Sequence, residues 1–506
     1  MTEVLIAGAG PTGLVLAIEL ARRGAAVRIV DKNAEPFNGS RGKGLQPRSL
    51  EVFDDLGVVD RLLDIGGPYL PIHVYAGRVP IWRTRMSKRV EPTPDTPYPN
   101  LLMIPQNRTE AVLRDRLAEF GVTVEYGVEL TAFTPGRDGV TVRLGSEAAT
   151  VRYLVGADGA HSVVRKGLGI DFEGETRDAE RMIVADVRLS GLDRESWRVY
   201  ANPWRGRFRL ALSPLPGTDL FQLVAPLRPG ETTGLSREGL QERVARAGAR
   251  GLRVNEVTWA STWRANIRLA RHYRRGRVFL AGDAAHVHSP AGGQGLNTGV
   301  QDGYNLGWKL ATVLSGADDA LLDSYEQERL PVAAAVLGLS SRLHEAAKSS
   351  VTRAFRRGVE ANQLGIGYPY SSLSVGDGAG DRAADGIVMT PEGPRRLFDL
   401  YRGPHWTLLA AGEPPMADAA DIRVHRVDAT PSTARYTLVR PDGYIGLNTD
   451  DSGRVSGYLR ELRKPLPHKL SAVAEPQHRI GDGLGVDELM QMAARQPFHR
   501  PAAFGG

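Results

Sequence analysis

A glycine-rich turn near the N-terminus constrains the fold of this chain more than any other feature. Residues 4–7 are apolar and predict a buried strand, and residues 8–13 follow at once with the pattern Gly-x-Gly-x-x-Gly. Residues 14–23 then predict a helix, and residues 27–30 predict a second strand that ends at Asp31. Strand, glycine turn, helix, strand and acid in this order are typical of a fold that binds dinucleotides. The sequence therefore predicts a dinucleotide site at its start.

The residues of this turn have separate roles in such a fold. Gly8 permits the tight turn, Gly10 lets the backbone approach a pyrophosphate, and Gly13 lets the helix pack close to the strand. The helix N-terminus then faces the anion. The carboxylate of Asp31 can accept hydrogen bonds from ribose hydroxyl groups. The predicted dinucleotide contacts are Gly8, Gly10, Pro11, Thr12, Gly13, Asp31 and Lys32.

Composition excludes several other classes of protein. The 506 residues are enough for two or three domains, and the absence of cysteine excludes disulfides, thiolate metal sites and dithiol redox chemistry. No apolar run is long enough to span a membrane, so a cytoplasmic protein is the simplest interpretation. The formal net charge is +6, but the basic residues are dispersed and indicate solvated surfaces rather than nucleic-acid binding. We expect no metal, membrane or nucleic-acid partner, and a homodimer is compatible with the sequence.

Two further segments place a strand directly before a turn that contains an acid and a glycine. Residues 153–165 run from an apolar strand into an Asp-Gly pair that begins at Asp158. Residues 277–286 contain a second strand that runs into a Gly-Asp pair ending at Asp283, and a glycine-rich loop follows at residues 292–297. Either segment alone is an ordinary strand–turn–helix junction. All three motifs in this order point to one dinucleotide-binding architecture.

The three motifs together resemble the class A FAD-dependent monooxygenases, the aromatic hydroxylases with the p-hydroxybenzoate hydroxylase fold. The glycine turn looks like the first fingerprint of that family. Asp158 with Arg165 looks like its DG motif, and Asp283 with Pro290 looks like its GD motif. Residues 41–51 are similar to its characteristic arginine segment.

Three more segments extend the resemblance. Residues 104–106, before a predicted helix, are similar to the glutamine segment of the family, and residues 292–309 resemble the family at nearly every position. Residues 395–462 look like the thioredoxin-like appendage of the branch that hydroxylates polyketides and rifampicin. Because the chain has no cysteine, this appendage is expected to be structural.

The resemblance implies an α/β fold with three parts. These are a discontinuous Rossmann-type FAD domain, a substrate domain built on an antiparallel sheet, and a thioredoxin-like C-terminal domain. The predicted bounds are 1–75, 101–180 and 271–348 for the FAD-binding domain, 76–100 and 181–270 for the substrate-binding sheet, 349–394 for a connection, 395–465 for the thioredoxin-like domain and 466–506 for a tail.

The resemblance also implies noncovalent FAD and gives the motif residues roles toward it. Asp283 can accept a hydrogen bond from a ribityl hydroxyl, and Gly293 and Gly295 leave room for the isoalloxazine ring because a Cβ would collide with it. Backbone amides at the start of the next helix favour the negative charge of reduced flavin. Gln106 would bond the ribityl or phosphate region, and Arg41 would contact the cofactor. The further predicted cofactor contacts are Arg41, Gln106, Asp158, Asp283, Pro290, Gly293, Gly295, Leu296 and Asn297.

No catalytic residue stands out, because the implied chemistry needs neither a protein nucleophile nor a metal. The candidates are Arg41, Arg209 and His288, which could hold a substrate anion or accept a proton. For His286 and His288, a structural role near the glycine loop is the more common one.

The segments between the motifs predict a sheet that covers the flavin ring. Its predicted strands alternate as antiparallel neighbours and span residues 181–189, 197–201, 208–215, 220–227 and 254–267. The candidates that line a substrate pocket on it are Tyr200, Arg207, Arg209, Gln222, Trp259 and Arg264. Small side chains on the same strands would leave a wide pocket; these are Ala201, Ala211, Ser213 and Ala225.

The reaction implied is hydroxylation of a phenolic or polycyclic aromatic small molecule by NADPH or NADH, O₂ and a flavin C4a-hydroperoxide. The chain has no second strand-embedded glycine motif, so NAD(P)H is expected to visit rather than to occupy its own domain. The alternatives are Baeyer–Villiger oxygen insertion on a polyketide, hydroxylation that inactivates an antibiotic, and a non-enzymatic FAD-binding protein. A flavin halogenase is disfavoured because its Trp-x-Trp-x-Ile-Pro element is absent.

Overall fold

The structure is a computed structural model that describes residues 2–202, 208–228, 230–231, 234–288, 293–349, 358–415 and 421–463. Some of the predictions above lie outside these residues: the contacts at Arg207 and Pro290, part of the predicted connection, and the tail at 466–506.

The N-terminal third alternates short strands with helices. The strands are β1 (Val4–Ala7), β2 (Val27–Asp31), β3 (Gly44–Leu45), β4 (Gly67–Pro68), β5 (Ile72–Ala76), β6 (Val79–Thr84), β7 (Leu102–Met103), β8 (Val124–Tyr126), β9 (Leu130–Pro135), β10 (Val140–Leu144), β11 (Glu147–Val151) and β12 (Tyr153–Gly156). The helices are α1 (Pro11–Ala21), α2 (Pro47–Asp55), α3 (Val59–Ile65), α4 (Gln106–Glu119) and α5 (Val163–Gly167).

The middle of the chain is mostly extended. Its elements are β13 (Phe172–Ser190), β14 (Trp197–Ala201), β15 (Phe208–Pro214), β16 (Phe221–Leu227), α6 (Arg237–Arg246), β17 (Arg253–Ala270), β18 (Arg274–Arg275), β19 (Val278–Leu280) and β20 (His286–Val287). The C-terminal part begins with two long helices and ends in a small mixed unit. Its elements are α7 (Gly295–Leu314), α8 (Asp323–Ser349), β21 (Ile387–Thr390), β22 (Gly393–Arg396), α9 (Leu397–Tyr401), β23 (Trp406–Ala410), β24 (Ile422–Arg426), β25 (Tyr436–Val439), β26 (Ile445–Thr449) and α10 (Ser452–Arg463).

A six-stranded sheet in the order β18-β19-β12-β1-β2-β8 forms the centre of the first unit, and only β18 pairs antiparallel. Helices α1 and α7 pack against each other through three α7 glycines at a spacing of four, which places them on one helix face. A Cβ on Gly299 or Gly303 would lie 2.4 or 2.6 Å from atoms of Thr12, and a Cβ on Gly307 would lie 2.4 Å from Glu19. The α/β fold with a Rossmann-type sheet is confirmed.

A second sheet has eight strands in the order β20-β17-β13-β16-β15-β14-β5-β6. It contains all five strands predicted for the substrate sheet, and β13 and β17 are longer than predicted. It also contains β5, which pairs parallel with β14 and begins at Ile72. The large sheet therefore begins at residue 72, whereas the prediction began it at residue 76. The parallel pairing of β5 with β14, across more than 100 residues, has no local sequence signal from which it could be predicted.

The C-terminal sheet has the order β24-β23-β25-β26, in which β23 and β24 are parallel and β25 is antiparallel to both of its neighbours. This is the strand arrangement expected of a thioredoxin-like unit. A buried ionic cluster joins it to the first unit: the Glu328 carboxylate on α8 accepts from Lys309 Nζ at 2.7 Å and from Arg440 Nη1 at 2.7 Å. Within the described ranges, no helix is both long and apolar enough to cross a bilayer.

Candidate functional site

The glycine turn between β1 and α1 divides its glycines into two kinds. Gly8 has a φ of +105°, and a Cβ on it would lie 2.3 Å from the Ala157 carbonyl oxygen. A Cβ on Gly13 would lie 2.0 Å from the Gly8 oxygen, whereas a Cβ on Gly10 would meet no atom of the described residues within 4 Å. Packing within the protein therefore requires glycine at positions 8 and 13 but leaves the space in front of Gly10 open.

The N-terminus of α1 faces this open space without a side-chain cap. The helix begins at Pro11 after an extended N-cap residue, Gly10, and its first turn has no acidic residue. The first backbone N–H groups and the helix dipole therefore favour an anion. These features fit the pyrophosphate of a dinucleotide. Thr12, in the first turn of α1, packs against Gly282.

Asp31 lies beside the turn at the end of β2. Its Oδ2 accepts from the Ala9 backbone N–H at 2.9 Å, and its Oδ1 accepts from the Asn33 backbone and side-chain nitrogens at 2.9 and 2.8 Å. The carboxylate thus holds the glycine turn, while Lys32 next to it is exposed. A bond from Asp31 to a ribose hydroxyl stays a prediction.

Arg165 connects the two acid-and-glycine turns. Its Nη1 donates to the Ala284 carbonyl at 2.7 Å, and its Nη2 donates to the Ala160 carbonyl at 2.8 Å. Asp158 Oδ2 accepts from the Val163 backbone N–H at 2.7 Å, and Asp158 Oδ1 is buried without a hydrogen-bond partner in the described part of the chain. One guanidinium group therefore fixes the relative position of turns that are more than 100 residues apart in sequence.

Asp283 lies in the second of these turns with its side chain exposed. Desolvation raises the pKa of this carboxyl, while the charges of His286 and Arg41 act in the opposite direction. An exposed carboxylate in this turn fits the predicted acceptor of a ribityl hydroxyl.

A buried charge network lies behind Asp283. The Asp302 carboxylate on α7 accepts from the Gly282 backbone N–H at 3.0 Å, from His286 Nε2 at 2.6 Å and from Arg329 Nε at 2.7 Å. Burial would raise the pKa of Asp302, but the Arg329 and His286 charges lower it. His286 has no exposed surface, so it has the structural role that its position in the sequence favours.

The arginine and glutamine segments are held together at the edge of the same site. Gly42 N–H donates to Gln106 Oε1 at 3.0 Å, and Gln106 Nε2 donates to Glu110 at 2.8 Å. Burial raises the pKa of Glu110 to about 7. Arg41 is exposed, with its guanidinium 5.5 Å from the centre of the Phe37 ring. The Gln106 side chain therefore acts on the loop that carries Arg41, and its predicted direct contact with a cofactor stays a prediction.

The N-terminus of α7 is the second helix end at the site that, among the described residues, has no side-chain cap. Gly293 is exposed and has a φ of +64°, and the first turn of α7 contains no acid. A Cβ on Gly295 would lie 3.2 Å from His288 Nε2, so this glycine also makes room for a protein side chain. Leu296 follows it, half-buried. This helix end fits the negative charge of a reduced flavin ring.

Asn297 ties this helix end to the arginine segment. Its Oδ1 accepts from the Gln46 backbone N–H at 2.7 Å, and its Nδ2 donates to the carbonyls of Gly44 and Gly293 at 3.0 and 2.8 Å. The fully buried side chain is used within the protein, so the proposed cofactor contact of Asn297 rests on its backbone.

The three catalytic candidates lie in different places. Arg41 is at the site, as described. His288 is half-buried beside Gly295, with its Nδ1 3.4 Å from Ser340 Oγ. Arg209 is exposed on β15, at the point where the pairing of β15 with β14 is irregular.

A row of polar side chains on the large sheet holds the arginine segment from the other side. Ser40 donates through its backbone N–H to Asp186 at 2.7 Å and through its hydroxyl to the other carboxylate oxygen, and Gln222 Nε2 donates to the Ser40 carbonyl at 2.6 Å. Lys43 Nζ donates to Ser213 Oγ at 2.5 Å. Burial lowers the pKa of Lys43 to about 7, with Asp186 acting in the opposite direction, and burial raises the pKa of Asp186.

Sequence reasoning missed this row. Gln222 and Ser213 were expected to line a pocket, but both are buried against the arginine segment. Asp186 carries the signal that could have found it, because it is the one charged residue in the otherwise apolar run of residues 182–187 and therefore needs a buried partner.

Beyond this row, the same face of the sheet is covered only in part, and we call the space in front of it the cleft. Strand alternation places Met182, Val184, Ala211, Val224 and Trp263 on it, and all five are half-buried. The opposite face is covered by α6 and is closed.

Three predicted pocket residues are on the wrong face of the sheet. Tyr200 packs in the core under α6 and stacks on Tyr75 at 5.6 Å, and Ala225 packs in the same core. Arg264 pairs with Arg181, one position out of phase with the cleft-facing residues. The sequence could not assign these faces because both sides of the sheet are covered by other elements. Trp259 does face the first unit, where it contacts Phe37 at 5.5 Å.

The chain is similar to known proteins over most of its length. The family described as FAD binding domain matches residues 1–340 of the chain. A flavin-dependent monooxygenase from Mycobacteroides abscessus is 43% identical over 480 residues, which cover 91% of this chain and 99% of the relative. The 6-methylpretetramide 4-monooxygenase from Streptomyces rimosus is 35% identical, with coverage of 89% and 91%.

A solved structure agrees over nearly the whole length. The ternary complex of aklavinone-11 hydroxylase with FAD and aklavinone has a TM-score of 0.75 and 28% identity, and the match covers 91% of this chain and 98% of that one.

Proposed function

The chain belongs to the FAD binding domain family and is a flavin-dependent monooxygenase, and we propose that its substrate is a multi-ring phenolic compound bound in the cleft between the sheet and the first unit. The observation that carries the proposal is the half-buried apolar face of that sheet, formed by Met182, Val184, Ala211, Val224 and Trp263. Relatives named for 6-methylpretetramide and aklavinone support a polycyclic substrate.

The cofactor is FAD, and we propose which residues hold it. The open space at Gly10 and the α1 N-terminus would take the pyrophosphate, and Asp31 the ribose. Asp283 would accept from the ribityl chain, and the uncapped N-terminus of α7 at Gly295 would lie against the pyrimidine end. FAD is expected to be released by acid precipitation, because the chain has no cysteine for a thioether bond.

Bound FAD, reduced by NAD(P)H, supplies the activation of O₂ from which one oxygen atom reaches the substrate. The protein then has three tasks. The α7 N-terminus would stabilise negative charge through the backbone N–H groups of its first turn. The apolar cleft face orients an aromatic ring and excludes water. Arg209, which is exposed on β15, is proposed to stabilise a phenolate, which makes a protein base unnecessary.

The test is a substrate panel of single-ring and multi-ring phenols with purified enzyme, in which NADPH or NADH oxidation and product mass are both measured. The proposal predicts stimulated and coupled oxidation for multi-ring phenols, with products that gain one oxygen and keep the ring intact. Coupled turnover of a simple phenol with none for any polycyclic compound would contradict the substrate class. Oxygen insertion beside a carbonyl would establish the Baeyer–Villiger reaction instead.

The cellular location and the oligomeric state of the enzyme stay predictions. The cytoplasmic location is tested by fractionation of the source cells, and the homodimer is tested by sedimentation velocity of the purified protein.

A further inference from the structure

Gln363 lies outside every sequence motif and has an unusual backbone. Its φ and ψ are +63° and 8°, in the left-handed region, and it is the one non-glycine residue with a positive φ in the described ranges. A residue with a long side chain rarely adopts this conformation, which glycine or asparagine would occupy at lower cost. Gln363 is also 1% exposed, so its side chain is enclosed by protein.

The Gln363 amide connects residues of the first two turns of α7. Its Nε2 donates to Gln294 Oε1 at 2.7 Å and lies 3.3 Å from Thr298 Oγ1, and its Oε1 accepts from Gln301 Nε2 at 2.7 Å. Gln294 Nε2 in turn donates to the Ala361 carbonyl at 3.0 Å. Because a carbonyl only accepts, this last bond identifies the Gln294 side-chain nitrogen and therefore fixes the orientation of its amide. The orientations of the Gln363 and Gln301 amides then follow from their bonds to it and to each other.

Gln294, to which the Gln363 amide is bonded, sets the position of the α7 N-terminus. Gln294 is the N-cap of α7 and stands between Gly293 and Gly295, the two glycines proposed to face the flavin ring. Its backbone carbonyl also accepts from Thr298 Oγ1 at 3.0 Å. A shift of the Gln294 amide would therefore move the start of the helix.

We propose that Gln363 is a positioning residue that holds the N-terminus of α7 in the orientation in which it binds FAD. The inference rests on the proposed cofactor site. It explains why a strained conformation carries glutamine: the turn alone would be served better by glycine, whereas the amide is needed to reach Gln294 and Gln301.

The test compares two variants with a matched control in full-length enzyme from which the flavin has been removed. Gln363→Glu keeps the size of the side chain and the acceptor for Gln301 but loses the donor to Gln294. Gln363→Gly relieves the backbone and removes the amide. The control is Gln241→Glu on α6, where the glutamine also makes two hydrogen bonds, at 3.1 and 2.7 Å, but on the far side of the sheet. The measurements are the FAD dissociation constant, the visible spectrum of bound FAD and the thermal midpoint of the apoenzyme.

We expect both Gln363 variants to raise the FAD dissociation constant about tenfold and to change the flavin spectrum, since about one net hydrogen bond is lost at the helix end. The apoenzyme of Gln363→Gly should melt no lower than that of Gln363→Glu, and Gln241→Glu should bind FAD as the wild type does. Unchanged FAD affinity and spectrum in both Gln363 variants would overturn the inference. Failure of the wild-type chain to bind FAD would instead contradict the proposed function.

Discussion

Replacing Asp302 with asparagine removes one negative charge from a site with no exposed surface. Asp302, His286 and Arg329 are all 0% exposed, and the carboxylate accepts from both of these side chains and from the Gly282 backbone. Asparagine has nearly the same shape, so the variant opens no cavity. Its effect reports the charge and the hydrogen bonds alone.

The expected loss of folding free energy follows from the groups that the substitution leaves without a charged partner. Arg329 keeps its positive charge in the interior but loses its charged partner at 2.7 Å, and removal of one member of a buried ion pair costs about 3–5 kcal/mol. The His286 bond and the Gly282 bond lose a charged acceptor as well. The folded-state pKa of Asp302 is lowered, so its contribution is present above the unfolded value near 3.8 and is lost as the pH falls through the folded pKa. The cost should therefore be complete at pH 7.

The assay is denaturant unfolding of the apoenzyme at pH 7, followed by circular dichroism, together with FAD titration. The control is Asp219→Asn, which makes the same substitution in an ion pair of Asp219 with Arg188 at 2.6 Å whose members are 66% and 46% exposed, and which should cost at most about 1 kcal/mol. We expect Asp302→Asn to lose at least about 3 kcal/mol and to bind FAD more weakly, because it loosens the turn that carries Asp283. A loss no larger than that of the control would refute the reasoning.

Three further predictions test separate parts of the site. Asp283→Ala should weaken FAD binding by about 1.5–3 kcal/mol, or roughly 10- to 150-fold, and leave apoenzyme unfolding unchanged; an unchanged dissociation constant would contradict its role. Gly10→Ala should weaken FAD binding without destabilising the apoenzyme, whereas Gly13→Ala should destabilise it, since only the second Cβ meets backbone; equal thermal midpoints for both would be inconsistent with the packing. Because burial lowers the pKa of Lys43 from 10.5 to about 7, the unfolded chain binds more protons between these values, so stability should rise with pH there by up to about 1.4 kcal/mol per unit, and Lys43→Met should remove that rise. Parallel stability–pH curves for the two proteins would count against a buried lysine.

Local patterns in the sequence were sufficient to predict the strands and helices that carry the motifs. The strand before Gly8, the helix after it and the acid at residue 31 lie within one supersecondary unit, so their order alone specified the Rossmann-type sheet. The helix after the glycine-rich loop was also predicted, and it is α7, which begins at Gly295.

Other features depend on residues that are distant in sequence. The Asp302 network, the bonds between Ser40 and Asp186, and the position of Gln363 each join segments 16 to 146 residues apart. No local pattern encodes such pairings. The faces of the large sheet were unpredictable for a related reason: Tyr200 and Ala201 are adjacent, both buried, and packed in different cores.

The proposed enzyme transfers one atom of O₂ to an aromatic compound held in the cleft. The most direct measurement is turnover of a multi-ring phenol with NADPH under isotopically heavy O₂, followed by mass spectrometry of the product. We expect a product that contains one heavy oxygen atom and an intact ring system, formed in proportion to the NADPH consumed. NADPH oxidation that yields only hydrogen peroxide, or a product whose added oxygen comes from water, would contradict it.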